Sequence, residues 1–75
     1  MSKDIDRIEF YEQLSKCESK KELENIIDNI DNEDLLEVIQ DKYKQIIEFN
    51  QDEDLKSIIR ILEYTYLQFE KYNRN

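Results

Sequence analysis

Apolar residues recur along this chain at the three- and four-residue spacings of helices. The sharpest stripe is Leu23, Ile26, Ile27 and Ile30, at i, i+3, i+4 and i+7. Leu35, Leu36, Val38, Ile39, Tyr43, Ile46, Ile47 and Phe49 cover roughly half the circumference of a longer helix. At about 100° per residue, Leu55, Ile58, Ile59, Leu62, Tyr66 and Phe69 form the core stripe of another. The first segment is ambiguous: Ile5, Ile8 and Tyr11 lie on one side, and Phe10, Leu14 and Cys17 on another. The pattern predicts helices near 3–16, 20–30, 33–49 and 53–72. Short connections make sequential helices antiparallel neighbours, so the expected fold is all-α, one domain spanning 1–75 as a compact bundle of four short antiparallel helices.

The helix starts carry their own chemistry. Three segments share a template of a capping residue, two polar residues, an acid and a leucine: Ser19 to Leu23, Asp31 to Leu35 and Gln51 to Leu55. Ser19 and Glu22 have capping-box spacing, with Ser19 placed to accept the N3 amide and Glu22 to reach back to the cap. Ile30 and Leu35 flank Asp31 at the spacing of a hydrophobic staple. Gln51 is a poor cap, so Asn50 or Asp52 is expected to serve there. Asn32 and Asn50 are the residues best able to supply the left-handed turns that glycine usually makes. Unequal spacing marks the likeness as shared helix-start chemistry and not as a repeat array.

Composition narrows the function classes. The 75 residues include no Gly, Pro, His, Trp or Ala. Without glycine there is no phosphate-cradling loop or dinucleotide fingerprint. Without histidine the commonest general base and metal ligand are missing, and the Glu-x-x-His motif of di-metal bundles cannot be written. Asp28 to Asp34 and Asp52 to Asp54 look superficially like calcium loops, but they lack the glycine and the alternating oxygen ligands. Cys17 has no histidine to activate it, Glu18 opposes its thiolate, and it reads as a small buried residue. No enzyme, no cofactor and no metal is expected.

A lone cysteine forms no intramolecular disulfide, so a reducing, cytoplasmic setting is the simplest reading. No apolar run approaches the ~20 residues that span a bilayer, and the first residues do not read as a signal peptide. Richness in Ile, Lys, Asn and Tyr, with no Ala, Gly or Pro, matches AT-rich codons and points to a low-GC bacterium or its phage.

The net charge of −8 is unevenly spread. Residues 22–54 hold 12 acids against Lys42 and Lys44, while the flanking segments are neutral or slightly basic. Glu22, Asp31, Glu33, Asp34, Asp52, Glu53 and Asp54 fall at helix starts, where free amides and the macrodipole favour carboxylates. Glu24, Asp28, Glu37, Asp41 and Glu48 have no such account. Glu33, Glu37 and Asp41 also stand at i, i+4 and i+8, a like-charge ladder costing a few tenths of a kcal/mol per pair. Either these acids form a solvated face, or Glu24, Asp28, Glu33, Glu37, Asp41 and Glu48 are a purposeful patch. Such a patch would repel nucleic acid and anionic membrane, and would fit a protein partner with a basic surface.

The last helix raises a second question. Ile61, Tyr64, Leu67 and Tyr72 fall opposite its core stripe. Either the first helix covers them, or they form an exposed strip for a homodimer or a partner. The leading expectation is a small acidic inhibitor and nucleic-acid mimic that blocks a partner's basic surface, of the phage or mobile-element kind that includes anti-defence and anti-CRISPR proteins. The alternative is a structural or assembly module that works through the apolar strip, with acidity serving only solubility.

Overall fold

Helices begin in this chain where a short polar side chain can take up the amides that a first turn leaves open. The computed structural model describes residues 7–49 and 53–73. It contains α1 (Arg7–Ser15), α2 (Lys20–Asp28), α3 (Glu33–Phe49) and α4 (Leu55–Asn73), and the described residues include no strand. The all-α four-helix bundle is the fold expected from the apolar spacing. The span of α3 is the expected one, the observed ends of the other helices differ from those expected by no more than two residues, and residues 3–6 of the expected first helix lie outside the described ones.

At α2, Ser19 has extended backbone (φ −151, ψ 161) and its Oγ accepts the Glu22 amide at 3.2 Å. Glu22 reaches back one residue further than the capping-box pattern implies: its Oε1 accepts from the Glu18 amide at 2.8 Å, not from that of the cap. The other two caps lie nearer their helices than the shared template places them. Asn32, not Asp31, caps α3, its Oδ1 accepting the Asp34 and Leu35 amides at 3.0 and 3.1 Å. Asp54 caps α4, its Oδ1 accepting the Ser57 amide at 2.9 Å. Asn50 and Asp52, the caps expected there, lie outside the described residues. Geometry explains the shift, because a cap must immediately precede the first helical residue for its oxygen to meet the N2 or N3 amide. Ser57 donating to Asp54 holds that carboxyl below its ordinary range.

The left-handed conformation expected at Asn32 does not appear. No described residue has positive φ, and Asn32 serves as an N-cap instead. Asn50 lies outside the described residues. Helix α2 ends on Asn29 at φ −93 and ψ 6, with its side-chain amide donating to the Asn25 carbonyl at 2.8 Å. The Asn25 carbonyl also accepts the Asn29 backbone amide, and the Ile26 and Ile27 carbonyls accept the Asn29 and Ile30 amides, so the last turn is closed without a glycine-like residue.

All four helices feed one core. Phe10, Leu14, Leu23, Ile39, Ile58 and Leu62 are fully buried, and Ile27, Ile30, Leu35 and Tyr66 nearly so. Each such side chain contributes roughly 1.5–3 kcal/mol relative to exposure. The ambiguous first segment resolves on its Phe10 and Leu14 side, whereas Ile8 is 64% exposed. Helix α1 is fixed to α4 at several points. Phe10 and Tyr66 pack with ring centres 5.0 Å apart, and Tyr11 meets Tyr66 edge-on at 6.3 Å. The Tyr11 hydroxyl donates to the Glu63 carbonyl at 2.9 Å, and Arg7 pairs with Glu70 at 3.1 Å. The longest packed seam runs between α3 and α4, with α2 against α3 and α1 against α2. Buried Thr65 returns its hydroxyl to the Ile61 carbonyl at 2.8 Å, and among the described residues no buried side-chain N or O lacks a partner. A radius of gyration of 11.9 Å sits close to the ~11 Å expected of a packed chain this long.

Cys17 is half-buried, not buried as the sequence implied. Its Sγ lies 3.1 Å from the Ser19 carbonyl, and partial burial pushes the thiol above its ordinary value. A thiol held protonated is a poor nucleophile.

Candidate functional site

The six acids assigned to a patch are all exposed, but they divide into two kinds. Glu24 and Asp28 sit one turn apart on α2 and brace it to α3. Glu24 Oε2 accepts the Tyr43 hydroxyl at 2.9 Å, and Asp28 Oδ1 accepts from Gln40 Nε2 at 3.3 Å. Burial, and then the hydrogen bond to Glu24 and its negative charge, push the Tyr43 hydroxyl up to about 12. These two carboxylates therefore have a structural task. Their acceptors' partners were half-visible in the sequence: Tyr43 belongs to an apolar stripe, yet a packed phenol still needs somewhere to place its hydroxyl.

Glu33, Glu37, Asp41 and Glu48 stand on the outer side of α3. At about 100° per residue they occupy an arc of about 80°, turned away from the buried Leu35 and Ile39. None of the four makes a hydrogen bond or ion pair among the described residues. Lys44 falls within the same arc, between Asp41 and Glu48. The uninterrupted ladder is thus Glu33, Glu37 and Asp41, about 12 Å long at 1.5 Å per residue, with Glu48 set apart beyond a lysine. Beside that lysine, a shallow groove of about 340 Å³ is lined by Lys20, Glu24, Tyr43, Lys44, Ile47 and Glu48. Two bases and two acids share it, so the acidic character is concentrated toward the N-terminal half of α3.

The strip on α4 lies open. Ile61 is 36% exposed, Leu67 40%, Tyr64 61% and Tyr72 82%. Helix α1 does not cover it, contrary to one of the two expectations, because α1 seats on the side of α4 that carries Glu63, Tyr66 and Glu70. The sequence reading also missed what accompanies the strip. Lys56, Arg60 and Lys71 are exposed on the same arc of α4, about 100–160° from Leu55, which brackets Leu67 and approaches Tyr64. The spacing 56, 60, 71 (one turn, then three) was available to find them.

No cluster of three or more His, Cys, Asp or Glu suited to a metal ion occurs among the described residues. No described helix is long and apolar enough to cross a membrane. Comparison with known proteins returns no matching family, no similar curated protein and no similar solved structure.

Proposed function

We propose that the protein is a non-enzymatic binding module that occupies a basic surface of a partner protein through the outer face of α3. The observation that carries this reading is the ladder of Glu33, Glu37 and Asp41, exposed and unpaired. Like charges one turn apart oppose the helix by a few tenths of a kcal/mol per pair, and a face selected only for solubility gains from interleaved lysines. Carboxylates one turn apart also stand about 6 Å from each other, near the phosphate spacing along a nucleic-acid strand. Such a surface suits a decoy for a nucleic-acid-binding groove, with fast and salt-sensitive association. An inhibitor of a nuclease or defence complex, of the phage or mobile-element kind, is the corresponding role. Glu24 and Asp28 then support the ladder by holding α2 against α3, and Glu48 adds charge at its far end.

Differential capture from a low-GC bacterial lysate tests this. Partners held by the native chain should be lost with Glu37→Lys plus Asp41→Lys, should elute steeply between low and high salt, and should survive Tyr64→Ala. Capture unaffected by the charge reversal would overturn the decoy.

A second reading is favoured by the exposed strip Ile61, Tyr64, Leu67 and Tyr72. In it the outer face of α4 is the working surface of an assembly or docking module, and the acidity serves solubility. Tyr64→Ala should then abolish capture while the charge reversal leaves it intact.

A further inference from the structure

The charged edge of the α4 strip, more than its apolar centre, says what would cover it. Ile61, Tyr64 and Leu67 are exposed, with Ile61 and Leu67 about 60° to either side of Tyr64 around the helix. The edge toward α1 carries both signs of charge. Lys56, Arg60 and Glu63 line a groove there beside the end of α1, and Glu70 pairs with Arg7. Asp54, at the helix start, has Lys56 and Arg60 in its field. Lys56, Glu63 and Glu70 recur every seven residues along this edge, the base near the start of the helix and the acids beyond it. Such an edge gives no preference to a wholly acidic or wholly basic helix, to nucleic acid or to an anionic membrane. It does complement itself when reversed.

We infer that the outer face of α4 pairs with the same face of a second copy, antiparallel about a two-fold axis at Tyr64, to form a homodimer. The inference rests on the second reading above and names the occupant of its surface. Pairing centred on Tyr64 sets Ile61 level with Leu67 of the second copy, and Tyr64 level with its counterpart, so the apolar residues close on one another. On the charged edge, Glu70 of the second copy falls level with Ile58, about 3 Å along the axis from both Lys56 and Arg60. The two-fold repeats that pairing at the other end. Lys71 of the second copy falls level with Ser57, whose amide holds the Asp54 carboxylate. A parallel pairing would instead set each of these charges against its own counterpart. The antiparallel one does bring Glu63 near Glu63 and Lys71 near Lys56, so charge selects the direction of pairing and the apolar strip supplies its strength. Two chains of net charge −8 repel at long range, but the acidic ladder belongs to α3, and physiological salt screens such repulsion over about 8 Å.

The test is sedimentation equilibrium of the full-length protein between about 5 and 500 µM in about 0.15 M salt, with ¹⁵N amide spectra over the same range. A monomer–dimer equilibrium is expected, with the amides of Tyr64 and Leu67 shifting on dilution. Tyr64→Ala should weaken the dimer at least tenfold. Lys56→Glu and Glu70→Lys should each weaken it several-fold, whereas an equimolar mixture of those two variants should recover it, because each chain then meets the opposite charge in the other. All three substitutions are at exposed positions, and retained amide dispersion in the core confirms that each variant folds. A mixture no more associated than either variant alone overturns the antiparallel pairing, and dilution shifts confined to other helices overturn the face. A chain that stays monomeric throughout overturns the inference alone if Tyr64→Ala still loses a captured partner, and the reading beneath it as well if it does not.

Discussion

The outer faces of α3 and α4 project from one scaffold and share a helical grammar, yet they are chemical opposites. Exposed positions one turn apart on α3 hold Glu33, Glu37 and Asp41. On α4 they hold Lys56, Arg60 and Tyr64, with Ile61 and Leu67 alongside. Both faces have an apolar opposite side that supplies the core, Leu35 and Ile39 from one and Ile58 and Leu62 from the other. The bundle therefore constrains only the inward half of each helix and leaves the outward half to other demands. Net charge alone hides this. A value of −8 describes neither the ladder nor the basic rim, and the separation between them would orient the protein as it approaches a charged partner.

The largest effect that sharpens the contrast lies within α4. Leu62 is fully buried and Leu67 is 40% exposed, one residue type in one helix. Leu62→Ala should destabilise by about 2–5 kcal/mol, enough to threaten the fold of so small a domain, whereas Leu67→Ala should stay within about 0.5 kcal/mol. Urea melts of the two variants check this, and similar midpoints would mean that Leu67 is packed against something. Next in size is the brace between α2 and α3. Tyr43→Phe removes the 2.9 Å bond to Glu24 and should lower stability by about 1 kcal/mol in the same melts.

Tyr43 also sets a pH dependence. Its hydroxyl is raised in the folded state from an ordinary value near 10 to about 12. The folded protein thus holds this proton more tightly than the unfolded chain does. The resulting stability is complete below pH 10 and is lost as pH rises from 10 toward 12. Tyr11 is raised as well, chiefly by burial, so the native chain's alkaline loss has two sources. Thermal melts across that window should fall less steeply for Tyr43→Phe than for the native chain.

The smallest effect separates stability from binding. Glu37→Lys replaces two repulsive i, i+4 contacts with attractive ones, and should raise thermal stability by a few tenths of a kcal/mol while weakening a basic partner. A loss of stability would show that Glu37 is held by a contact, not merely tolerated on the surface.

Much of this was legible in the apolar spacing and little of it in the turns. The course of α3 follows from its stripe, since Leu35, Ile39, Tyr43, Ile46 and Ile47 can close over a core in only one register, although Phe49, expected in the same stripe, is exposed. Cap identity did not follow, because Asp31, Asn32, Asp52 and Asp54 are all acceptable caps by type, and only the backbone path selects Asn32 and Asp54. The inward face of α1 was similarly open until tertiary packing of Phe10 on Tyr66 chose between two apolar sides. Exposure of the patch acids was readable from helix phase. Their division into braces and a free ladder was not, because it depends on Tyr43 and Gln40 reaching across from another helix.

The most direct test of the account is parallel capture from a low-GC bacterial lysate with three baits: the native chain, Glu37→Lys plus Asp41→Lys, and Tyr64→Ala. The decoy predicts a salt-sensitive partner on the native chain and on Tyr64→Ala that is missing from the charge-reversed bait. A partner retained by the charge-reversed bait and lost from Tyr64→Ala would contradict it and move the working surface to α4.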